Sequence, residues 1–354
     1  MPLHRAPLGR AAVLPLLLAA CAPDDQILDP NPVFQSTPSF ADRTDAPIPF
    51  LASNRPRGCT DSRYRQFNFW VGRWEVQDPS GVVGTNRVRS ALAGCAVTEE
   101  WIASNGFPGR SLNSYDAETG AWHQFWVDGG AGSLMLEGGA TPSGGMMLSQ
   151  TRPIRFNGPL ATDRLEWKRQ EGGRVLQTWD QSTDQGATFQ RLFEGTYIRS
   201  GLPAATPAPT GLCADPARLR FHRFDFTVGV WVVSRASSGA RVGRSTIAKD
   251  LGDCLLEEQF EGPRDHRVIG FGALDIVAFT WYREYVTSQG VRVALRGDLS
   301  PAGQMTMTGR IGSSLIRVTW IGDGVHRFEQ QWERSIDGGT TYDLMDTLIY
   351  QRAN

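Results

Sequence analysis

Glu99 stands between Val97 and Trp101 in an alternating run, and Glu258 stands in the same way between Leu256 and Phe260. Residues two apart in a strand share a face, so each carboxylate shares its face with an aliphatic and an aromatic side chain. A carboxylate on a buried face needs a partner such as arginine, or it takes up a proton and becomes neutral. Such a group serves as a structural ion pair, as a polar anchor in a ligand cavity, or as an acid or base. A second run sets Trp122, Gln124, Trp126 and Asp128 on one face and His123, Phe125 and Val127 on the other. With Glu99, Trp101, Asn113 and Tyr115 they form the candidate ligand-binding set: polar groups to pair with a molecule's polar atoms and rings to cover its apolar part. The plainer alternative is that the tryptophans fill a small barrel.

Catalytic signatures are missing from the sequence. There is no GxSxG, HExxH, P-loop or dinucleotide fingerprint. His123, His222, His266 and His326 are scattered, and a haem ligated by His123 or His326 would lack its counterpart in the other half of the chain. No catalytic residue, metal ligand or cofactor is therefore assigned. SerThrAspGlnGlyAlaThrPhe (182 to 189) and SerIleAspGlyGlyThrThrTyr (335 to 342) resemble the Asp-box hairpin of sialidase propellers. That motif is a turn device, in which Ser and Asp satisfy backbone groups and Gly takes positive φ.

These residues lie in a chain written twice. FNFWVGRWEV from Phe67 reappears as FDFTVGVWVV from Phe224, and QTWDQSTDQGATF from Gln177 as QQWERSIDGGTTY from Gln330. Between them Cys95, Trp101, Trp122, Gly138 and Met146 fall on Cys254, Phe260, Trp281, Gly297 and Met305. Each copy reads as short alternating strands, such as 74–77, 95–102 and 121–128, parted by turn clusters at 78–81, 116–120, 141–145 and 171–173. Roughly ten strands per copy, spaced as hairpins, are best satisfied by closure into an antiparallel barrel, which removes exposed edges. The fold class is all-β, with two tandem barrels. A short helix is expected before each barrel, the first at 61–67 with Asp61 as its cap.

Arg5 and Arg10 precede a ten-residue apolar run (11 to 20) that is too short to span a membrane, and LeuAlaAlaCys (18 to 21) closes it. The pattern is similar to a bacterial lipobox, with Cys21 as the lipidated residue; an ordinary secretory signal is the alternative. The expected organisation is a signal peptide (1–20), a disordered tether (21–58), a first barrel (59–199), a Pro-rich linker (200–212) and a second barrel (213–354). By analogy with lipoproteins whose cysteine is followed by residues like Ala22 and Pro23, the outer membrane is the expected address, with the body facing the periplasm and held by lipid only. Removing the leader leaves 34 basic against 37 acidic side chains, which gives no basic field for nucleic acid. Four further cysteines allow three pairings. The pairing that respects the repeat is Cys59 with Cys95 and Cys213 with Cys254, because equivalent cysteines should lie at equivalent distances; the alternative is a soft metal site, against which the absence of CxxC argues.

FNFWVGRWEV, SerLeuAsnSerTyrAsp (111 to 116), TrpHisGlnPheTrpValAsp (122 to 128) and TrpAspGlnSerThrAspGlnGly (179 to 186) together resemble a bacterial domain family of unknown function with a lipocalin-like (calycin) barrel. The resemblance covers 59 to 199 well. In the second copy Asn113 and Tyr115 become Gly272 and Leu274, and Gln124 and Asp128 become Arg283 and Thr287. The resemblance implies a fold but no settled activity. The expected role is a noncatalytic envelope lipoprotein whose first barrel binds a small apolar or amphipathic molecule. The alternatives are an isomerase- or hydrolase-type enzyme using Glu99, or a purely structural or interaction lipoprotein.

Overall fold

A computed structural model describes residues 48–51, 59–201 and 205–353. Among the described residues ten strands, from Gly72–Asp78 to Gln190–Arg199, form one closed barrel, and ten more, from Gly229–Arg235 to Asp343–Arg352, form a second. All pairings are antiparallel and follow sequence order, with the last strand of each barrel closing on its first. Ser182 shows how the turns are built. Its hydroxyl donates to Asp184 (2.7 Å) and accepts from the Gly186 amide (2.8 Å), while Asp184 accepts from Thr188 N. Ser335 and Asp337 repeat the device in the second copy, so the Asp-box pattern is a turn.

Aromatic packing closes one end of each barrel. The expected helix near 61–67 is two 3₁₀ turns, Ser62–Arg65 with Asp61 as its cap and Asn68–Trp70. They bring Phe67 against Trp70, Trp167 and Trp122, with ring centroids 4.9, 5.1 and 5.6 Å apart. Trp74 Nε1 donates to the Trp70 carbonyl at 2.8 Å, and Trp231 Nε1 repeats this with Thr227. Disulfides Cys59–Cys95 and Cys213–Cys254 tie these closing segments to the barrel walls.

The two barrels pack through equivalent parts, related as by a pseudo-two-fold. Leu112, Phe125 and Val127, which face outward from the first barrel, share one apolar cluster with Phe271, Ala273 and Val286 of the second. The Gly129 carbonyl lies 3.6 Å from Cys254 Sγ. Conversely, a Cβ on Gly290, whose φ is +75°, would come within 2.7 Å of Cys59 Sγ. The turn that holds Gly129 in the first barrel and the turn that holds Gly290 in the second thus each abut a disulfide cysteine of the other copy. Arg110 crosses the interface to Asp250 at 2.7 Å.

Part of the expected tether is not free. Ile48, Phe50 and Leu51 are buried, and Pro49–Leu51 forms a 3₁₀ turn lodged in the second barrel. Four successive apolar residues in an otherwise polar run find cover there, which outweighs the entropy of fixing them. The rest of that stretch, the leader and Cys21 lie outside the described residues.

Candidate functional site

Strand register assembles a polar chain inside the first barrel. Glu99 pairs across the strands with Val88 and Ser111, Trp101 with Asn86 and Gly109, and Gln124 with Asn113. Glu99 accepts from Asn86 Nδ2 (2.7 Å) and from the Ser111 hydroxyl (2.6 Å). Asn113 Nδ2 donates to Ser111 Oγ and to the Val97 carbonyl, both at 2.9 Å, and Asn113 Oδ1 accepts from Gln124 Nε2 at 2.8 Å. Tyr197 joins Asn86 to Gln177. Every member of this chain is buried, and Asn86 Oδ1 has no hydrogen-bond partner.

Among the described residues, no cation pairs with Glu99. Burial pushes its carboxyl up from 4.5 to about 7, and the hydrogen bonds from Ser111 and Asn86 pull it only part of the way back. Burial, with the Glu99 charge beside it, also raises the Tyr197 phenol well above its ordinary value. The second barrel solves the same problem differently. Arg283, which stands where the first copy has Gln124, donates to Glu258 at 2.5 Å, and Ser245, Tyr285 and Tyr350 complete the shell at 2.7, 3.3 and 3.4 Å. A buried carboxylate is thus paired in one barrel and unpaired in the other.

Away from the closed end, Trp101, Trp126, Trp179 and Phe193 are only partly buried. Trp101 and Phe193 meet edge to face at 6.1 Å. Gly109 lies beside Trp126, where a Cβ would come within 2.2 Å of the indole. These rings rim the mouth above Glu99.

The structure brings together Glu99, Asn113 and Gln124, with Trp101 and Trp126 above them. It separates the other three candidates. Tyr115 and Trp122 belong to the closed end, where Tyr115 OH accepts from Arg63 (3.3 Å) and Trp122 Nε1 donates to Gln66 (3.1 Å). Asp128 accepts from the amides of Gly130 and Gly132, both at 2.9 Å, and from Trp126, so it ties a turn; burial raises its carboxyl. Asn86, Ser111, Gln177 and Tyr197 were not singled out by sequence. Gln177 and Tyr197 carried a signal nonetheless, since they recur as Gln330 and Tyr350.

No protein-family model matches the chain. No curated protein matches it. Among solved structures it is similar to a DUF3598-family protein of unknown function from Nostoc punctiforme, at 12% identity over 83% of this chain and 100% of that one, with a TM-score of 0.24. It is also similar to a candidate outer membrane protein of Bacteroides fragilis, at 8% identity over 80% and 95%, with a TM-score of 0.17. Likeness at that level says nothing of ligand or activity.

Proposed function

We propose that the chain is an envelope lipoprotein whose first, lipocalin-like barrel binds a small, partly apolar molecule, while the second barrel is its structural partner. One observation carries the reading: part-exposed rings at the first mouth stand over a buried, hydrogen-bonded carboxyl that has no cation beside it. A site of this kind combines an apolar lining with a few convergent polar groups. The lipobox-like leader and two disulfides, which persist in oxidising compartments, support the address. The test is native mass spectrometry of the purified chain, with extraction and identification of what co-purifies. A bound small molecule lost in Trp126→Ala is the expected result. Binding unaffected by that substitution, or found only with an isolated second barrel, overturns the reading.

A second reading is favoured by Glu99 itself. A carboxyl pushed up to about 7 exchanges protons near neutral pH, as a general acid or base must. It predicts that the recovered molecule is chemically altered by the wild type and left intact by Glu99→Gln.

A further inference from the structure

The second barrel already contains a guest, and the guest is the chain's own Phe50. Its ring sits 4.9 Å from Phe260 and 5.2 Å from Tyr285, both edge to face, and 6.1 Å from Trp332. Its carbonyl accepts from His266 Nε2 at 2.8 Å. Phe260, Tyr285 and Trp332 are at most 1% exposed. The repeat places Trp101, Trp126 and Trp179 at the corresponding positions of the first barrel, and these three rings are partly exposed. Counting nine residues back from Cys59 reaches Phe50, whereas nine back from Cys213 reaches Ala204, which has no ring and lies outside the described residues.

Beneath Phe50 the second barrel supplies a cation as well. The Arg283 guanidinium pairs with Glu258 and lies 5.3, 5.1 and 5.7 Å from the rings of Phe224, Tyr285 and Trp320. The repeat sets Phe67, Trp126 and Trp167 at those three positions in the first barrel, while the arginine is replaced by Gln124. Rings that flank a cation attract it through their negative faces. The first barrel therefore keeps the carboxylate, the flanking rings and the three-ring rim but lacks the arginine that answers them, and it carries Asn86, Ser111 and Asn113 where the second has Ser245, Gly270 and Gly272. Asn86 Oδ1, buried beside Glu99 without a partner, is a further acceptor turned inward.

We propose that the first barrel binds an arylalkylammonium compound, its ring seated among Trp101, Trp126 and Trp179 and its ammonium donating to Glu99 and Asn86. The ligand supplies in one molecule what Phe50 and Arg283 supply to the second barrel. This rests on the reading of the first barrel as a ligand-binding cup.

Calorimetric titration of the full chain with 2-phenylethylamine, 2-cyclohexylethylamine and 2-phenylethanol tests it. The amine with the aromatic ring should bind with one site per chain. The cyclohexyl amine should bind roughly threefold to tenfold more weakly, the loss of ring-to-ring contacts. The alcohol, and 2-phenylethylamine itself on Glu99→Gln, should bind on the order of tenfold to a hundredfold more weakly, the loss of a charge-assisted hydrogen bond. Gln124→Arg, which installs the second barrel's own cation, should abolish amine binding while both disulfides and the far-ultraviolet spectrum stay unchanged. Equal binding of both amines refutes the aryl seat, and equal binding of amine and alcohol refutes the cation. No binding of any probe refutes the cup as well as its ligand class.

Discussion

Replacing Glu99 by glutamine should stabilise the protein at neutral pH and not in acid. In the folded chain the Glu99 carboxyl is pushed from 4.5 to about 7 by burial. Below pH 4.5 both the folded and the unfolded states hold the proton, and the carboxyl costs nothing. Between 4.5 and 7 the unfolded state releases its proton while the folded state keeps it, so stability falls as pH rises. Above 7 the loss is complete. A gap of about 2.5 pKa units at 1.36 kcal/mol per unit amounts to ~3 kcal/mol, an upper bound because the introduced amide must rearrange its neighbours. The amide oxygen can still accept from Asn86, but the Ser111 hydroxyl, which now donates, has to accept instead. Urea unfolding of wild type and variant, measured pairwise at pH 4, 6 and 8 at fixed ionic strength, reads the difference. The two barrels can unfold in separate steps, and the step that moves is the first barrel's. The expected difference is near zero or slightly destabilising at pH 4, and grows in favour of the variant to as much as ~3 kcal/mol by pH 8. A difference that is independent of pH, or one that shifts towards wild type as pH rises, refutes the unpaired-carboxyl account.

The opposite sign is expected in the second barrel, where Glu258→Gln leaves the Arg283 guanidinium buried without its counter-charge and should destabilise by about 3 to 5 kcal/mol in the same assay at pH 7. His123 is buried between the barrels beside Glu137 and Arg292; burial and then the Arg292 charge lower its imidazole to about 3. The unfolded chain takes a proton below about 6.5 that the folded chain refuses, so stability should fall as pH drops from 6.5 towards 3, and His123→Phe should flatten that decline in thermal melts. Phe50→Ala should cost the second barrel about 3 to 5 kcal/mol, seen as faster amide exchange in its strands and none in the first barrel's. Metabolic palmitate labelling should mark the wild type and not Cys21→Ser; equal label on both would exclude lipidation at Cys21.

Alternation in TrpHisGlnPheTrpValAsp was enough to place the strand Ala121–Asp128, and the repeat was enough to pair the cysteines. The same strand also shows the limit. Phe125 and Val127 are as apolar as the inner face because the other barrel covers them, and a single strand's pattern cannot say which of two buried faces is the lumen. Asp128 shares the phase of Gln124 yet serves a turn, since phase gives a direction and not a partner. Asn86 and Ser111 passed unnoticed because isolated polar residues in an alternating run read as solvent-facing. The need of Glu99 and Glu258 for a partner was legible, but not which residue would answer it: Arg283 pairs with Glu258, and Gln124 stands in the arginine's place in the first barrel. The burial of Phe50 was not legible, because four residues are too few to show a period.

The pseudo-two-fold that sets the Gly129 and Gly290 turns each against a disulfide cysteine of the other copy is the symmetry of a homodimer, drawn here within one polypeptide. In a dimer of identical subunits every exchange in a lumen occurs twice, so one cup cannot gain an arginine while the other keeps an amide. Joining the copies head to tail lifts that restriction and leaves the shared wall intact. Leu112, Phe125 and Val127 can go on meeting Phe271, Ala273 and Val286 while the two interiors drift apart. The half filled by Phe50 and Arg283 can then diverge from the half that keeps Gln124 without loosening the whole.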